Sequence, residues 1–213
     1  MDFSEKRYVQ KRKRGIETMN RILYIAAELF AQQGFDGVSV RVIANRAGIK
    51  ESSLYNHFSS KAIILEALFE KFILLAPKSR PTDSELDQMM TIMQPEEVFK
   101  NIVFHVGSRV SDTFVNIAMI IDHEKFRKPR AAEIYYKYVV NEPVEYYERL
   151  INKMAANGMI RAVDARIFAE QYNYVSISLT KEYFMAKNEL ADMESVVKYM
   201  VKTLNFFCSL MKE

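Results

Sequence analysis

Apolar residues recur at three- and four-residue intervals along most of this chain, and no stretch shows the strict apolar–polar alternation of a strand. Ile22, Ala26, Leu29 and Phe30 line one side of a helix predicted over about 17–33, which Gly34 ends. Two short apolar clusters follow. A longer helix then opens near Ser60, a candidate N-cap, and runs to about Leu75. Ala76-Pro77 and Arg80-Pro81 break the period. Beyond them the spacing predicts helices over 95–110, 112–125, 129–141, 143–157, 164–188 and 192–212. Pro95 can open the first of these, Pro143 separates two pieces, and Asn157-Gly158 is a stop signal. Residues 83–93 read either as a short helix or as an ordered loop. The fold class expected is all-α.

The two short clusters carry the most information. In 39–61, SVRVIANRAGIKESSLYNHFSSK, Ser39 is a good N-cap, and Val42, Ile43, Ala44 and Ala47 supply the apolar face of a first short helix. Gly48 can take the positive φ of a sharp turn, and Ile49 can plug the gap that follows. Leu54 and Phe58, one turn apart, face inward from a second short helix. This is the pattern of a helix-turn-helix, whose second helix can enter the DNA major groove.

Charge distribution points the same way. Residues 1–61 hold 11 Lys and Arg against 6 Asp and Glu, whereas residues 62–213 hold 19 against 21. A basic head on a slightly acidic body suits a protein that presents one end to a polyanion. Lys11, Arg12, Lys13 and Arg14 fall in a polar stretch, 1–15, read as a mobile arm that either enters a minor groove or stays disordered. No apolar run of about 18 residues predicts a membrane span. The charged N-terminus lacks the apolar core of a signal peptide. A single cysteine, Cys208, excludes an intrachain disulfide and a cysteine-rich zinc site. A cytoplasmic protein is expected.

Three blocks in one order resemble the TetR family of bacterial transcriptional repressors. ILYIAAELFAQQGFDGVSV, 22–40, resembles its first helix and Gly-aromatic exit. IANRAGIKESSLYNHF, 43–58, resembles its Ala-x-x-x-Gly turn and Leu-Tyr-x-x-Phe recognition helix. SSKAIILEALFE, 59–70, resembles the start of its fourth helix. The resemblance implies a three-helix DNA-binding domain over 1–61, followed by a larger helical ligand-binding and dimerisation domain over 62–213. No enzymatic activity and no cofactor are expected. The partners implied are a near-palindromic double-stranded operator, a second copy of the chain and a small effector.

By position, the resemblance makes Arg41 a candidate base reader, since a guanidinium can bond guanine O6 and N7 together. Lys50, Glu51, Ser52, Ser53, Asn56 and His57 crowd the exposed side of the recognition helix. Asn56 suits adenine edges, whereas Glu51 suits cytosine N4 but repels phosphate. Tyr55 and Lys61 are candidate phosphate clamps, with Ser39 and His57 adding hydrogen bonds. Two departures stand out. Lys50 occupies a position where the family commonly has a capping Ser or Thr, and Ala62-Ile63 replace acids common after the Ser-Lys pair.

In the body, Ala165, Phe168, Tyr172, Val175 and Leu179 form one stripe, and Val197, Met200, Leu204, Phe207 and Met211 another. They read either as internal core or as a four-helix dimer interface; the resemblance implies the latter. The middle segments are rich in Phe, Tyr and Met, which suits a small apolar or amphipathic ligand. Val98, Ile102, His105 and Arg109 share one stripe. Either Ile102, His105 and Arg109 grip the anionic end of such a ligand, or His105 and Arg109 sit at an edge paired with acids or water. The histidines His57, His105 and His123 lack metal-ligand spacing, and no phosphate loop or nucleophile elbow supports an enzyme. The competing reading is a helical interaction module, or an architectural DNA-binding protein with no small ligand.

Overall fold

The computed structural model describes residues 3–211, and every regular element among them is a helix. Helix α1 spans Phe3–Gln33. The expected arm is therefore helical from Phe3 onward; Met1 and Asp2 lie outside the described residues. Lys, Arg, Glu and Gln are good helix formers, so the polar stretch extends the helix despite Gly15. Arg12, Lys13 and Arg14 are exposed on it. Next come α2 (Val40–Arg46), α3 (Glu51–Tyr55) and α4 (Lys61–Leu75).

After a single 3-10 turn at Pro77–Ser79, the chain forms α5 (Asp83–Ile92), α6 (Pro95–Arg109) and α7 (Asp112–Glu124). The ambiguous stretch near 83–93 is helical because Thr82 and Glu85 close a reciprocal capping box: Thr82 N–H donates to Glu85 Oε2 at 2.7 Å and Glu85 N–H to Thr82 Oγ1 at 3.3 Å. Helix α8 (Pro129–Ile134) runs into a π-helical segment, Tyr135–Asn141, and then into α9 (Glu142–Ala156). Helices α10 (Ala165–Lys187) and α11 (Met193–Ser209) complete the fold. Lys212, the last residue of the helix expected over 192–212, lies outside the described residues.

The break expected at Pro143 is thus a π turn. Proline has no N–H, so the carbonyl four residues earlier, that of Val139, loses its helical donor. The chain widens by one residue, and Glu142 N–H bonds Lys137 O instead. Asn173 of α10, a buried polar residue, donates its side-chain amide to Val139 O and Val140 O, both at 3.2 Å.

The chain divides into two compact units, Met1–Leu75 with Val110–Glu133, and Ala76–Arg109 with Ile134–Glu213. In the first, α7 packs on α1 and α4. Ile22, Leu29, Phe30, Ile64, Leu68, Ile117 and Ile120 are buried, and Phe72 stacks on Phe114 at 4.8 Å. Arg130 reaches back to α4, at 3.3 Å from Glu66 and 2.9 Å from Glu70. In the second unit, Phe99, Tyr147, Phe168, Tyr172 and Phe207 build an aromatic core with mostly edge-to-face contacts, such as Tyr147–Tyr172 at 4.7 Å. Burial pushes the Tyr147 and Tyr172 hydroxyls above their ordinary pKa, so both stay neutral and hydrogen-bonded to each other.

Candidate nucleic-acid interface

Helix α2 starts where Ser39 accepts a hydrogen bond from Val42 N–H at 3.3 Å, a cap worth about 1 kcal/mol. Ile43, Ala44 and Ala47 are buried, but Val42 is 43% exposed, so the apolar face is narrower than the sequence suggests. Gly48 holds φ at 66°, and Ile49 N–H returns to Ala44 O at 3.0 Å, closing the sharp turn. Helix α3 follows. Lys50 stands at its N-cap with no side-chain cap bond, while Leu54 and Phe58 are buried.

The opposite faces of α2 and α3 bring the expected polar set together. Arg41, Lys50, Glu51, Ser52, Tyr55 and Asn56 are exposed, and Ser53 and His57 are half-buried. Tyr55 is 47% exposed, so it is not a core tyrosine. Arg41 and Lys50 have no ion-pair partner among the described residues, which leaves their donors available to bases and phosphates. Ser39 uses an oxygen lone pair for its cap and retains its O–H as a donor.

Lys61 departs from the expected phosphate clamp. Its ammonium donates to Phe35 O at 2.7 Å and Val38 O at 2.8 Å, and lies 4.3 Å from the Phe35 ring centroid. Lys128 approaches the same ring at 4.6 Å. The first residue of α4 thereby staples the turn between α1 and α2. Two of its three donors are spent inside the protein. A second staple, absent from the expected set, is Arg46 of α2 to Glu28 of α1 at 2.6 Å. Partners 18 residues apart leave no local signal in the sequence.

The body residues fall differently from expectation. Ile102 is fully buried in the core, and Arg109 is exposed and ion-paired to Glu85 at 2.9 Å. His105 is half-buried, with an enclosed Nε2 that has no hydrogen-bond partner. The edge-pairing alternative describes Arg109, and the three residues form no common grip: neither of the two body cavities described here is lined by them. The expected dimer stripes are also corrected. Phe168, Tyr172, Leu179, Phe207 and Met211 are buried within their own subunit. Val175, Met200 and Leu204 are half-buried, and only Val197 is exposed. The exposed apolar face of α10 and α11 carries Ile167, Tyr174, Tyr199, Val201 and Phe206 instead. Between the two helices runs an open groove of about 710 Å³ lined by Ile167, Val175, Tyr199 and Phe206 among others.

No cluster of metal-ligating side chains occurs among the described residues, and no helix among them is long and apolar enough to cross a membrane.

Two short helices joined by a glycine turn, with a buried apolar base and exposed polar side chains, define a helix-turn-helix DNA-binding domain, here joined to an all-α body. Residues 22–68 match the family described as bacterial regulatory proteins, tetR family, so the chain carries a TetR-type DNA-binding domain. Among curated relatives, the HTH-type transcriptional repressor KstR2 of Rhodococcus jostii (strain RHA1) is 44% identical over 52 residues, 24% of this chain and 26% of that protein. The matched stretch therefore spans about a quarter of that relative's length. A TetR-family transcriptional regulator from Mesorhizobium loti MAFF303099 shares the fold with TM-score 0.66 at 15% identity, covering 94% of this chain and 99% of that one. AibR in complex with isovaleryl coenzyme A and operator DNA aligns with TM-score 0.57 at 20% identity, covering 86% and 96%.

Proposed function

We propose that this protein is a transcriptional repressor. It binds a near-palindromic operator as a homodimer and releases it when a small apolar or amphipathic effector binds the body. The observation that carries the reading is the exposed set Arg41, Lys50, Ser52, Tyr55 and Asn56, with its guanidinium, amide and hydroxyl donors, on a buried and capped helix-turn-helix. Residues 1–61 make the DNA contacts, and residues 62–213 carry regulation and dimerisation. Arg41 and Asn56 read base edges; Ser39, Lys50, Tyr55 and His57 hold phosphates. Glu51 disfavours close phosphate approach beside it. The protein acts in the cytoplasm, where its operator lies, and performs no catalysis.

The homodimer forms through the exposed face of α10 and α11, where Ile167, Tyr199 and Phe206 present apolar surface to water. A two-fold contact there sets the separation of the two recognition helices and hence of the half-sites. Effector control is favoured by the Phe, Tyr and Met content of the body and by the relative bound to both isovaleryl coenzyme A and operator DNA.

The test is genomic: fragments retained by the purified protein are sequenced and footprinted, and a roughly symmetric protected site is expected. Arg41→Ala should then weaken the preferred site by about 1–3 kcal/mol and relax one base position. A uniform loss on every sequence would make Arg41 a phosphate contact, and no protected site would overturn the reading.

A further inference from the structure

The geometry points to a small-molecule site, in the Arg80 pocket of the body, that takes a compact zwitterion such as an α-amino acid. The pocket holds about 390 Å³ and is bounded by Pro77, Pro81, the start of α5 and the start of α9. That size lies within the range of roughly 300–1,000 Å³ usual for small-ligand sites. It shares no lining residue with the groove between α10 and α11.

Arg80 is the reason to expect a ligand. Its side chain is only 11% exposed, yet its guanidinium makes no hydrogen bond among the described residues. The nearest carboxylate, Glu142, is 3.7 Å away, too far for a hydrogen bond. The guanidinium lies 5.3 Å from the Tyr146 ring centroid, a cation–π contact that leaves its N–H donors facing the pocket. Tyr146 lines the same pocket, is 6% exposed, and its hydroxyl has no partner either. Arg149 lines the pocket too, and burial lowers the Arg80 pKa from its ordinary value. The Tyr146 hydroxyl is a buried donor without an acceptor, which is costly, and two arginines in one pocket wall favour an anion beside them.

The acids decide which anion. Asp83, Glu142 and Glu145 share the wall with the two arginines, so the lining carries one more negative than positive charge. A phosphate dianion would meet three carboxylates. A ligand with one carboxylate and one ammonium satisfies both signs: its carboxylate accepts from Arg80 and Arg149, and its ammonium donates to Glu145 and Asp83 at the exposed rim.

Ligand-observed NMR and thermal shift on the full chain, without DNA, test this independently of the operator reading. The probes are glycine, L-alanine and γ-aminobutyrate, with acetate, methylammonium and inorganic phosphate as single-sign controls. Saturable binding of at least one zwitterion is expected, with each control weaker by roughly tenfold or more. Arg80→Met should abolish it. Because removing a buried arginine can disturb the fold, Glu145→Gln is the second arm: it should keep the helical spectrum and lose the preference for zwitterion over acetate. Phosphate binding as well as the zwitterions, unchanged selectivity in Glu145→Gln, or no saturable binding by any probe would overturn the proposal; the last would mean that Arg80 is satisfied by Glu142 and water alone.

Discussion

Replacing Lys61 by methionine separates two roles that sequence alone assigns to the same ammonium. Methionine keeps most of the aliphatic stem and removes the charge. The lost contacts are two charged hydrogen bonds, to Phe35 O and Val38 O, and a cation–π contact with Phe35. Each charged bond contributes about 1.5–3 kcal/mol, and the ring contact about 0.5–1 kcal/mol. Lys61 is half-buried, so water can reach part of the vacated space and solvate the carbonyls. The net loss should then be about 2 kcal/mol, below the sum of its parts. For a chain of this size that corresponds to a fall in melting temperature of about 4–8 °C. Thermal and urea unfolding measure the stability, and operator affinity against salt, taken well below the melt, measures phosphate contact. A staple predicts the stability loss with an unchanged salt slope. A phosphate clamp predicts the reverse, wild-type stability and a slope smaller by about one unit. The second outcome would refute the reasoning, because an ammonium held by two carbonyls at 2.7 and 2.8 Å is then not what the protein uses.

Adjacent phenylalanines on α11 should behave oppositely. Phe206→Asp, at a position 58% exposed, should leave the helical spectrum intact and yield monomer in sedimentation, whereas Phe207→Ala, packed 5.3 Å from Phe168 and 5.1 Å from Tyr172, should cost about 3–5 kcal/mol in urea unfolding. Glu85 is held down at about 2, first by the Thr82 backbone N–H, then by the Thr82 hydroxyl and Arg109. Its folded pKa is depressed, so its contribution is present above the ordinary carboxylate range and is lost as pH falls towards about 2; unfolding curves of wild type and Glu85→Gln should differ at neutral pH and converge in acid. Asn173→Leu removes the donor to Val139 O and Val140 O and should destabilise by about 1–3 kcal/mol, with faster amide exchange in the π segment; unchanged exchange would mean that the turn holds without its cap.

The helix-turn-helix was legible in the sequence because its determinants are local. A hydroxyl at Ser39 caps the helix that begins beside it, Gly48 alone accepts a φ of 66° at the turn, and Leu54 and Phe58 meet because they are one turn apart. The polar residues left outside, Arg41 to His57, follow from the same period. The capping box at Thr82 and Glu85 has an equally short range, although the Met-rich stretch beside it concealed the helix. What the sequence could not determine depends on distant partners. Apolar periodicity shows that α10 and α11 each bury a face; it does not say against what, so Phe168, Tyr172 and Phe207 fitted a partner's surface as well as their own core. Only packing against Phe99 and Tyr147 decided the matter and left Phe206 and Ile167 outside. Charge is still less local. Lys61, Arg109 and Arg130 are alike in sequence as exposed cations on helices. Tertiary structure gave one to backbone carbonyls 23 and 26 residues away, one to Glu85 and one to Glu66 and Glu70, because a long flexible side chain takes the acceptor that folding brings within about 3 Å.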